Sequence, residues 1–161
     1  MIFLTIGTLE PFDRLVKTVD ALANAGRLSE PVIGQIGSGT YRPEHFQACG
    51  VLEKETFDEH MAKASFIISH AGMGSIITAI TLKKPMIVMP RLKKYNDHVN
   101  DHQLHTALKF QELGIVLVAN DESEMLEKIE MISDLKPAQR QAQLEPLKAR
   151  ISTFLNELKQ Y

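Results

Sequence analysis

A glycine-rich segment near the middle of the sequence connects an apolar run to a helix pattern. It reads Ser69-His70-Ala71-Gly72-Met73-Gly74-Ser75 and directly follows the apolar residues 66–68. Isoleucines recur after it at helical spacing, and a second apolar run follows at 86–89. A strand that passes through glycines into a helix and returns as a strand is typical of a βαβ unit.

Such a turn suits anion binding, because glycines allow backbone N–H groups to approach an anion and the helix dipole adds positive charge. We therefore expect a phosphate or diphosphate to be bound by His70, Gly72, Met73, Gly74 and Ser75. Two simpler interpretations stay open. The glycines make only a tight strand-to-helix turn, or His70 is a hydrogen-bonded buried histidine.

Polar residues also follow the strands on either side of this segment. Gly7 and Thr8 end the first apolar run, and Arg91 follows the run at 86–89 together with Lys93 and Lys94. Carboxyl ends of parallel strands share one edge of a sheet, which is where doubly wound sheets bind ligands. Gly7 and Thr8 are therefore expected to bind the nucleotide phosphate opposite residues 72–75. The cations there suit a phosphate or a uronic acid carboxylate. The alternative is that the two lysines are simply solvated.

Strand and helix patterns alternate along most of the chain, which predicts an α/β fold with a parallel sheet and helices on both faces. We expect strands over 1–6, 32–36, 46–52, 66–69, 86–89 and 115–118. We expect helices over 11–26 and 57–64, after Ser75, over 97–113 and from about 120. One domain over 1–161 is expected, with 137–161 as a C-terminal helical segment.

That last segment carries a narrow apolar stripe on a charged helix pattern. The stripe consists of Leu144, Leu147, Ile151, Phe154 and Leu158. It is interpreted either as packing on the chain's own sheet or as docking on a partner.

Composition argues against several classes of protein. With 18 Lys and Arg against 20 Asp and Glu, the net charge is -2, and no basic field favours nucleic acid. A single cysteine, Cys49, excludes an internal disulfide and a cysteine-based zinc site. No leader pattern and no membrane-spanning apolar run is evident, so a cytoplasmic location is expected, with membrane association only through a partner or surface patch.

The segment 69–103 resembles the donor-binding, C-terminal domain of glycosyltransferase family 28. The resemblance rests on His-x-Gly-x-x-Ser after a strand, a Lys-Pro-apolar strand ending at Pro90, and Asn100-Asp101-His102-Gln103. The first strand with Gly7-Thr8 fits the same domain. The chain is similar to small catalytic subunits of two-subunit transferases, among them capsule and exopolysaccharide enzymes and a dolichol-linked N-acetylglucosaminyltransferase.

This resemblance implies a Rossmann-like donor half of a two-Rossmann-domain enzyme that uses a UDP-sugar, with no cofactor and no metal. It implies that Asp101, His102 and Gln103, with Asn100 and Arg91 nearby, bind the transferred sugar. The resemblance also places Thr78 among the nucleotide-binding residues. Related transferases have a ribose-binding Glu at that position, so ribose recognition stays open there.

The resemblance also implies an incomplete enzyme, because 161 residues cannot hold two such domains. We expect a membrane-anchored acceptor-binding subunit to recruit the chain to the inner face of the cell membrane. The expected reaction is inverting transfer of a hexose or uronic acid to a lipid-linked saccharide in exopolysaccharide or capsule biosynthesis. Alternatives are a noncatalytic nucleotide-sugar-binding or assembly subunit, and a nucleotide-sugar epimerase, which length disfavours.

The general base is not evident from sequence. Glu10 and Asp13, just beyond the first strand, are the local candidates, and a base from the partner is the alternative. His98, His102 and His105 stand at zinc-compatible spacing if 97–113 is helical, but no His-Glu-x-x-His motif accompanies them. No metal site is therefore predicted.

Overall fold

The computed structural model describes residues 1–134 together with residues 149 and 153. Over 1–134, strands and helices alternate. The strands are β1 (Ile2–Thr5), β2 (Val32–Gln35), β3 (Gln47–Cys49), β4 (Phe66–His70), β5 (Met86–Met89) and β6 (Leu117–Val118). The helices are α1 (Asp13–Asn24), α2 (Lys54–Lys63), α3 (Met73–Thr81), α4 (His102–Glu112) and α5 (Glu122–Asp134).

The strands form one parallel sheet in the order β3-β2-β1-β4-β5-β6. Successive strands are added toward one edge of the sheet from β1 to β3 and toward the other edge from β4 to β6. A crevice therefore opens between β1 and β4, at the carboxyl ends of these two strands. Thr5 of β1 pairs with Ser69 of β4, and Ser69 pairs in turn with Val88 of β5. The loops after β1, β4 and β5 therefore emerge side by side.

Side chains along the central strands alternate between two buried cores. Leu4 and Ile68 belong to one core, which α1 and α5 cover. Phe3 and Ile67 belong to the other, which is covered by α2, α3 and α4. Burial on both faces explains why β1, β4 and β5 are almost wholly apolar. The predicted Rossmann-like sheet with helices on both faces is confirmed.

The predicted helix over 97–113 begins later than expected, at His102. A short 3-10 turn, Lys93–Tyr95, ends with Asn96 in the left-handed region at φ 59°. The Oδ1 atom of Asn100 then accepts the N–H of His102 at 3.1 Å, a local bond that favours a turn over a helix.

His98 consequently precedes the helix, and the three histidines do not share one helical face. Among residues 1–134, 149 and 153, no group of three or more His, Cys, Asp or Glu side chains is arranged to hold a metal ion.

Other differences are small changes at element boundaries. The first helix begins at Asp13 instead of near Pro11, and α2 begins at Lys54, three residues before the predicted start. The predicted segment 137–161 and its apolar stripe lie outside the described residues, apart from 149 and 153. Over the part of the chain that the structure describes, none of the helices combines the length and apolarity needed to cross a bilayer.

A candidate anion-binding cleft at the carboxyl edge of the sheet

A cleft of about 690 Å³ opens over the carboxyl ends of β1 and β4. The loops after β1, β4 and β5 form most of its wall, and the start of α2 closes one side. Residues from every predicted group of the site line it, namely Gly7, Thr8, Glu10, His70, Gly74, Ser75, Thr78, Arg91 and Gln103. The sheet topology has thus brought together residues that are up to 96 positions apart, from Gly7 to Gln103.

The N-terminus of α3 supplies hydrogen-bond donors to this cleft. Gly72 is its N-cap, and its carbonyl accepts the N–H of Ile76 at 3.2 Å. The N–H groups of Met73, Gly74 and Ser75 precede the first intrahelical bond. In the described part of the chain no side chain caps this end, and the first turn contains no acidic residue. The positive end of the helix dipole is therefore unopposed there.

His70 ends β4 and is held as a neutral imidazole beside this helix end. Burial, together with the nearby positive charge of Arg91, lowers the pKa of His70 to about 4, while a hydrogen bond to the backbone of Thr5 opposes the shift. Its Nδ1 lies 3.2 Å from the hydroxyl of Ser69. At neutral pH the ring acts through hydrogen bonding and shape, without a net charge.

Gly7 packs against the same imidazole from the loop after β1. Its φ of +83° lies in the left-handed region, where residues with a side chain are strained. A β-carbon on Gly7 would also lie 3.1 Å from Cε1 of His70. In contrast, a β-carbon on Gly74 would meet nothing within 4 Å. The glycines thus serve two purposes, since Gly7 makes room for the ring and Gly74 leaves the helix end open.

Thr78, at which the sequence left ribose recognition open, lines the cleft one turn into α3. Its hydroxyl donates to the carbonyl of Gly74 at 2.9 Å. The hydroxyl proton of Thr78 is therefore committed to its own helix.

Arg91 has a structural role that the sequence did not reveal. Its side chain is buried, and one terminal nitrogen donates to the carbonyls of Ile6 at 2.9 Å and Glu10 at 2.7 Å. The guanidinium lies over the Phe12 ring, 4.9 Å from its centroid. Burial lowers the pKa of Arg91, although the negative charges of Glu10 and Asp97 oppose that shift. Through these two hydrogen bonds the Arg91 side chain holds the backbone of the loop after β1 in place.

The predicted sugar-binding segment 100–103 is divided by the structure. Gln103 lines the cleft, and its Oε1 accepts the backbone N–H of Arg91 at 3.2 Å. Asp101 is exposed outside the lining and accepts the N–H of Lys93 at 2.8 Å. The side chain of Asn100 accepts the backbone N–H of His102, and neither residue lines the cleft. The geometry favours Gln103 as the member of this segment that contacts a ligand.

The two candidate bases are also separated. Glu10 lines the cleft, and its Oε2 lies 3.4 Å from Nε2 of His98. Asp13 lies outside the lining, and its carboxylate accepts the backbone N–H of Thr40 at 3.0 Å. Of the two predicted candidates, Glu10 is therefore the one that lines the cleft.

Several cleft residues were not predicted as parts of this site, among them Gln35 and His98. Gln35 is buried; its Nε2 donates to Thr5 Oγ1 at 3.3 Å, and its Oε1 accepts the N–H of Leu52 at 3.0 Å. A glutamine inside the apolar run 32–36 was the available signal for Gln35. His98 had a signal too, but it was interpreted only as a possible metal ligand.

Comparison with known proteins is consistent with this geometry. The model of the glycosyltransferase family 28 C-terminal domain matches residues 1–158. The human UDP-N-acetylglucosamine transferase subunit ALG13 is 32% identical over 122 residues, which cover 70% of this chain and 10% of that protein. The Saccharomyces cerevisiae protein of the same name is 38% identical over 92 residues, 52% of this chain and 43% of that protein.

Solved structures show the same fold. The glycosyltransferase of kitacinnamycin superimposes with a TM-score of 0.68 at 17% identity, covering 94% of this chain and 39% of that one. The glycosyltransferase SnogD from Streptomyces nogalater gives a TM-score of 0.60 at 19% identity, with the same coverage of 94% and 39%. The chain thus spans less than half the length of the relatives and structures that it matches.

Proposed function

The chain belongs to the glycosyltransferase family 28 C-terminal domain family, and we propose that it is the catalytic, donor-binding subunit of a UDP-sugar-dependent inverting glycosyltransferase. The proposed reaction transfers a hexose or uronic acid to a lipid-linked saccharide in exopolysaccharide or capsule biosynthesis. The observation that carries the proposal is the open N-terminus of α3, which lies beside a neutral His70 in a cleft at the sheet's switch point.

These groups suit a departing nucleoside diphosphate. As the glycosidic bond breaks, negative charge grows on the diphosphate, and donors fixed in advance stabilise that charge without reorganising. The N–H groups of Met73, Gly74 and Ser75 are such donors. The imidazole of His70 lies beside these donors and is neutral, so it adds no ion pair that would hold the UDP product tightly. We propose that no metal or cofactor is needed for this stabilisation.

The proposed base is Glu10. Its carboxylate takes the proton from the acceptor hydroxyl while the acceptor oxygen forms a bond to C1 of the sugar. The C1–oxygen bond of the donor breaks, and UDP leaves with the bonding electrons. Attack from the face opposite the diphosphate inverts the configuration at C1. Glu10 lines the same cleft as the proposed phosphate site, which supports this role.

The proposal includes a second subunit that is anchored in the membrane and binds the acceptor. Relatives named as transferase subunits support this partner. Large apolar side chains exposed around the cleft support it as well, namely Leu9, Val51 and Val99 on loops and Met73 at the start of α3. On this proposal the chain is cytoplasmic and associates peripherally with the inner membrane face through the partner.

The alternative, a noncatalytic nucleotide-sugar-binding or assembly subunit, is favoured by one observation. The Thr78 hydroxyl is engaged with Gly74, so the position that contacts ribose in related transferases offers neither a carboxylate nor a free hydroxyl proton. Such a subunit would bind a UDP-sugar, and its variants at Glu10 would not affect transfer.

The proposal is tested first by ligand binding. At a UDP concentration roughly 100 times Kd, the melting temperature of the chain is expected to rise by about 5–10 °C, with the same shift in EDTA. A panel of UDP-sugars, with UDP-N-acetylglucosamine first because it is the donor named for the relatives, is then assayed with membranes of the source organism. A chain without a UDP shift would contradict the proposal.

A further inference from the structure

We propose that His98 is a positioning residue that holds the Glu10 carboxylate in the cleft through an Nε2–H donor. The inference rests on the proposed function, in which Glu10 is the general base. The two residues come from the loops after β1 and β5, on opposite sides of the β4 loop that carries the phosphate site. Both line the same cleft, and the Oε2 and Nε2 atoms are 3.4 Å apart.

A hydrogen bond at Nδ1 determines which nitrogen of the His98 ring carries the proton. The backbone N–H of Asn100 points at Nδ1 of His98, with a separation of 3.3 Å. A backbone N–H can only donate, so Nδ1 accepts and carries no proton. The neutral ring must then carry its proton on Nε2, the atom that faces Glu10. The turn at 98–100 thus selects the tautomer that can donate to a carboxylate.

Hydrogen bonds from neighbouring side chains hold the backbone of both loops in place. Arg91 holds the carbonyl of Glu10 at 2.7 Å. Asp97, next to His98, accepts the N–H of Leu92 at 3.1 Å and binds Arg14 at 2.7 Å. The backbones of Glu10 and His98 are therefore held in place. The orientation of the Glu10 side chain depends on its contact with His98.

This contact suits a general base in one specific way. A carboxylate has two oxygens, and a donor on Oε2 orients the group while Oε1 stays available for the acceptor proton. Contacts of this kind are commonly long without substrate and shorten in the complex. During transfer the acceptor proton moves to Glu10, and His98 keeps its own proton. His98 is therefore assigned orientation and no proton transfer.

The test compares full-length variants for transfer from the UDP-sugar that the panel identifies, with membranes of the source organism supplying partner and acceptor. For His98→Ala, kcat is expected to fall at least tenfold, while the KM for the donor and the UDP thermal shift stay unchanged. His98→Gln keeps an N–H donor near the Nε2 position and is expected to recover most of kcat. His105→Ala, which changes an exposed histidine of α4 outside the cleft, is the matched control and should match the wild type.

A double-mutant comparison separates positioning from fold support. In a Glu10→Gln background, adding His98→Ala should cause no further loss, because the carboxylate that His98 orients is gone. Full kcat in His98→Ala, failure of His98→Gln to exceed it, or independent losses in the double variant would each overturn the inference. A wild-type chain that neither binds UDP nor transfers sugar would overturn the proposed function, and the inference with it.

Discussion

The imidazole of His70 occupies the space that a side chain on Gly72 would need. A β-carbon on Gly72 would lie 2.2 Å from Nε2 of His70, well inside contact distance, and 2.9 Å from Cδ2. The ring is therefore held between the glycine that precedes α3 and Gly7 of the loop after β1. The missing side chain at Gly72 serves the histidine as well as any bound phosphate.

Replacing Gly72 by alanine should therefore affect both the fold and the ligand. The methyl group must displace either His70 or the start of α3, so Gly72→Ala is expected to lower the free energy of unfolding by about 1–3 kcal/mol. The UDP-induced thermal shift should shrink as well, because His70 and the helix end no longer face the cleft together. Urea unfolding and thermal shift measure the two effects.

Gly74→Ala is the matched control for stability. A β-carbon there meets nothing within 4 Å, and alanine has the better helix propensity. Its free energy of unfolding should equal or slightly exceed that of the wild type. Equal free energies of unfolding for Gly72→Ala and Gly74→Ala would show that His70 does not pack tightly against Gly72.

The lowered pKa of His70 predicts a pH dependence of stability. The pKa is about 4 in the folded chain and near 6.5 when unfolded, so between these values the unfolded state binds the proton and the folded state does not. The contribution of His70 to the free energy of unfolding is fully present above about pH 6.5. It is lost as the pH drops toward 4, by up to about 3 kcal/mol. His70→Gln cannot titrate, so its urea-unfolding free energy should decline less from pH 7 to pH 4.5. Parallel declines would contradict the assignment.

Arg91 and Lys93 are two residues apart but should respond differently to loss of charge. Arg91→Met removes the donor to the Ile6 and Glu10 carbonyls and leaves them without that partner, at a cost of about 2–3 kcal/mol in the free energy of unfolding. UDP affinity should fall too, because the loop that carries Gly7 is released. The exposed Lys93→Met should change unfolding by less than about 0.5 kcal/mol. Equal stability of the two variants would show that Arg91 does not anchor the loop.

Periodicity predicted most of the fold because burial on two faces leaves a strong signal. The apolar runs at β1, β4 and β5 could be neither exposed strands nor surface helices. The start of α4 was missed because periodicity contains neither the local bond between Asn100 and His102 nor a tertiary contact of Asp97. The Oδ2 atom of Asp97 accepts from Nε of Arg14, 83 residues away in sequence, at 2.8 Å.

The candidate site was predicted in its location but not in its internal contacts. Glycines before a helix marked the loop at 72–75, yet the packing of Gly7 on His70 joins residues 63 positions apart. Glu10 and Asp13 looked equivalent in the sequence. They differ because α1 begins at Asp13, and the turn at its start directs that carboxylate to Thr40 and away from the cleft.

Two apolar side chains at the mouth of the cleft lead to a final prediction. Leu9 is 89% exposed in the loop after β1, and Val99 is 81% exposed in the loop before α4. Each directly adjoins a residue of the Glu10–His98 pair. Apolar side chains this exposed add nothing to the chain's own core, whereas they would be buried if the proposed acceptor subunit closed over the cleft.

The double change Leu9→Asp and Val99→Asp should therefore leave the folded chain intact and release it from the membrane. Its free energy of unfolding should stay within about 0.5 kcal/mol of the wild type, and UDP should still raise its melting temperature. Buried charges without partners oppose association strongly, so the fraction that sediments with membranes of the source organism should fall severalfold. Leu108→Asp with Met131→Asp, at exposed apolar positions of α4 and α5, is the control and should sediment like the wild type. Equal sedimentation of both double variants would place the partner's contact away from the cleft.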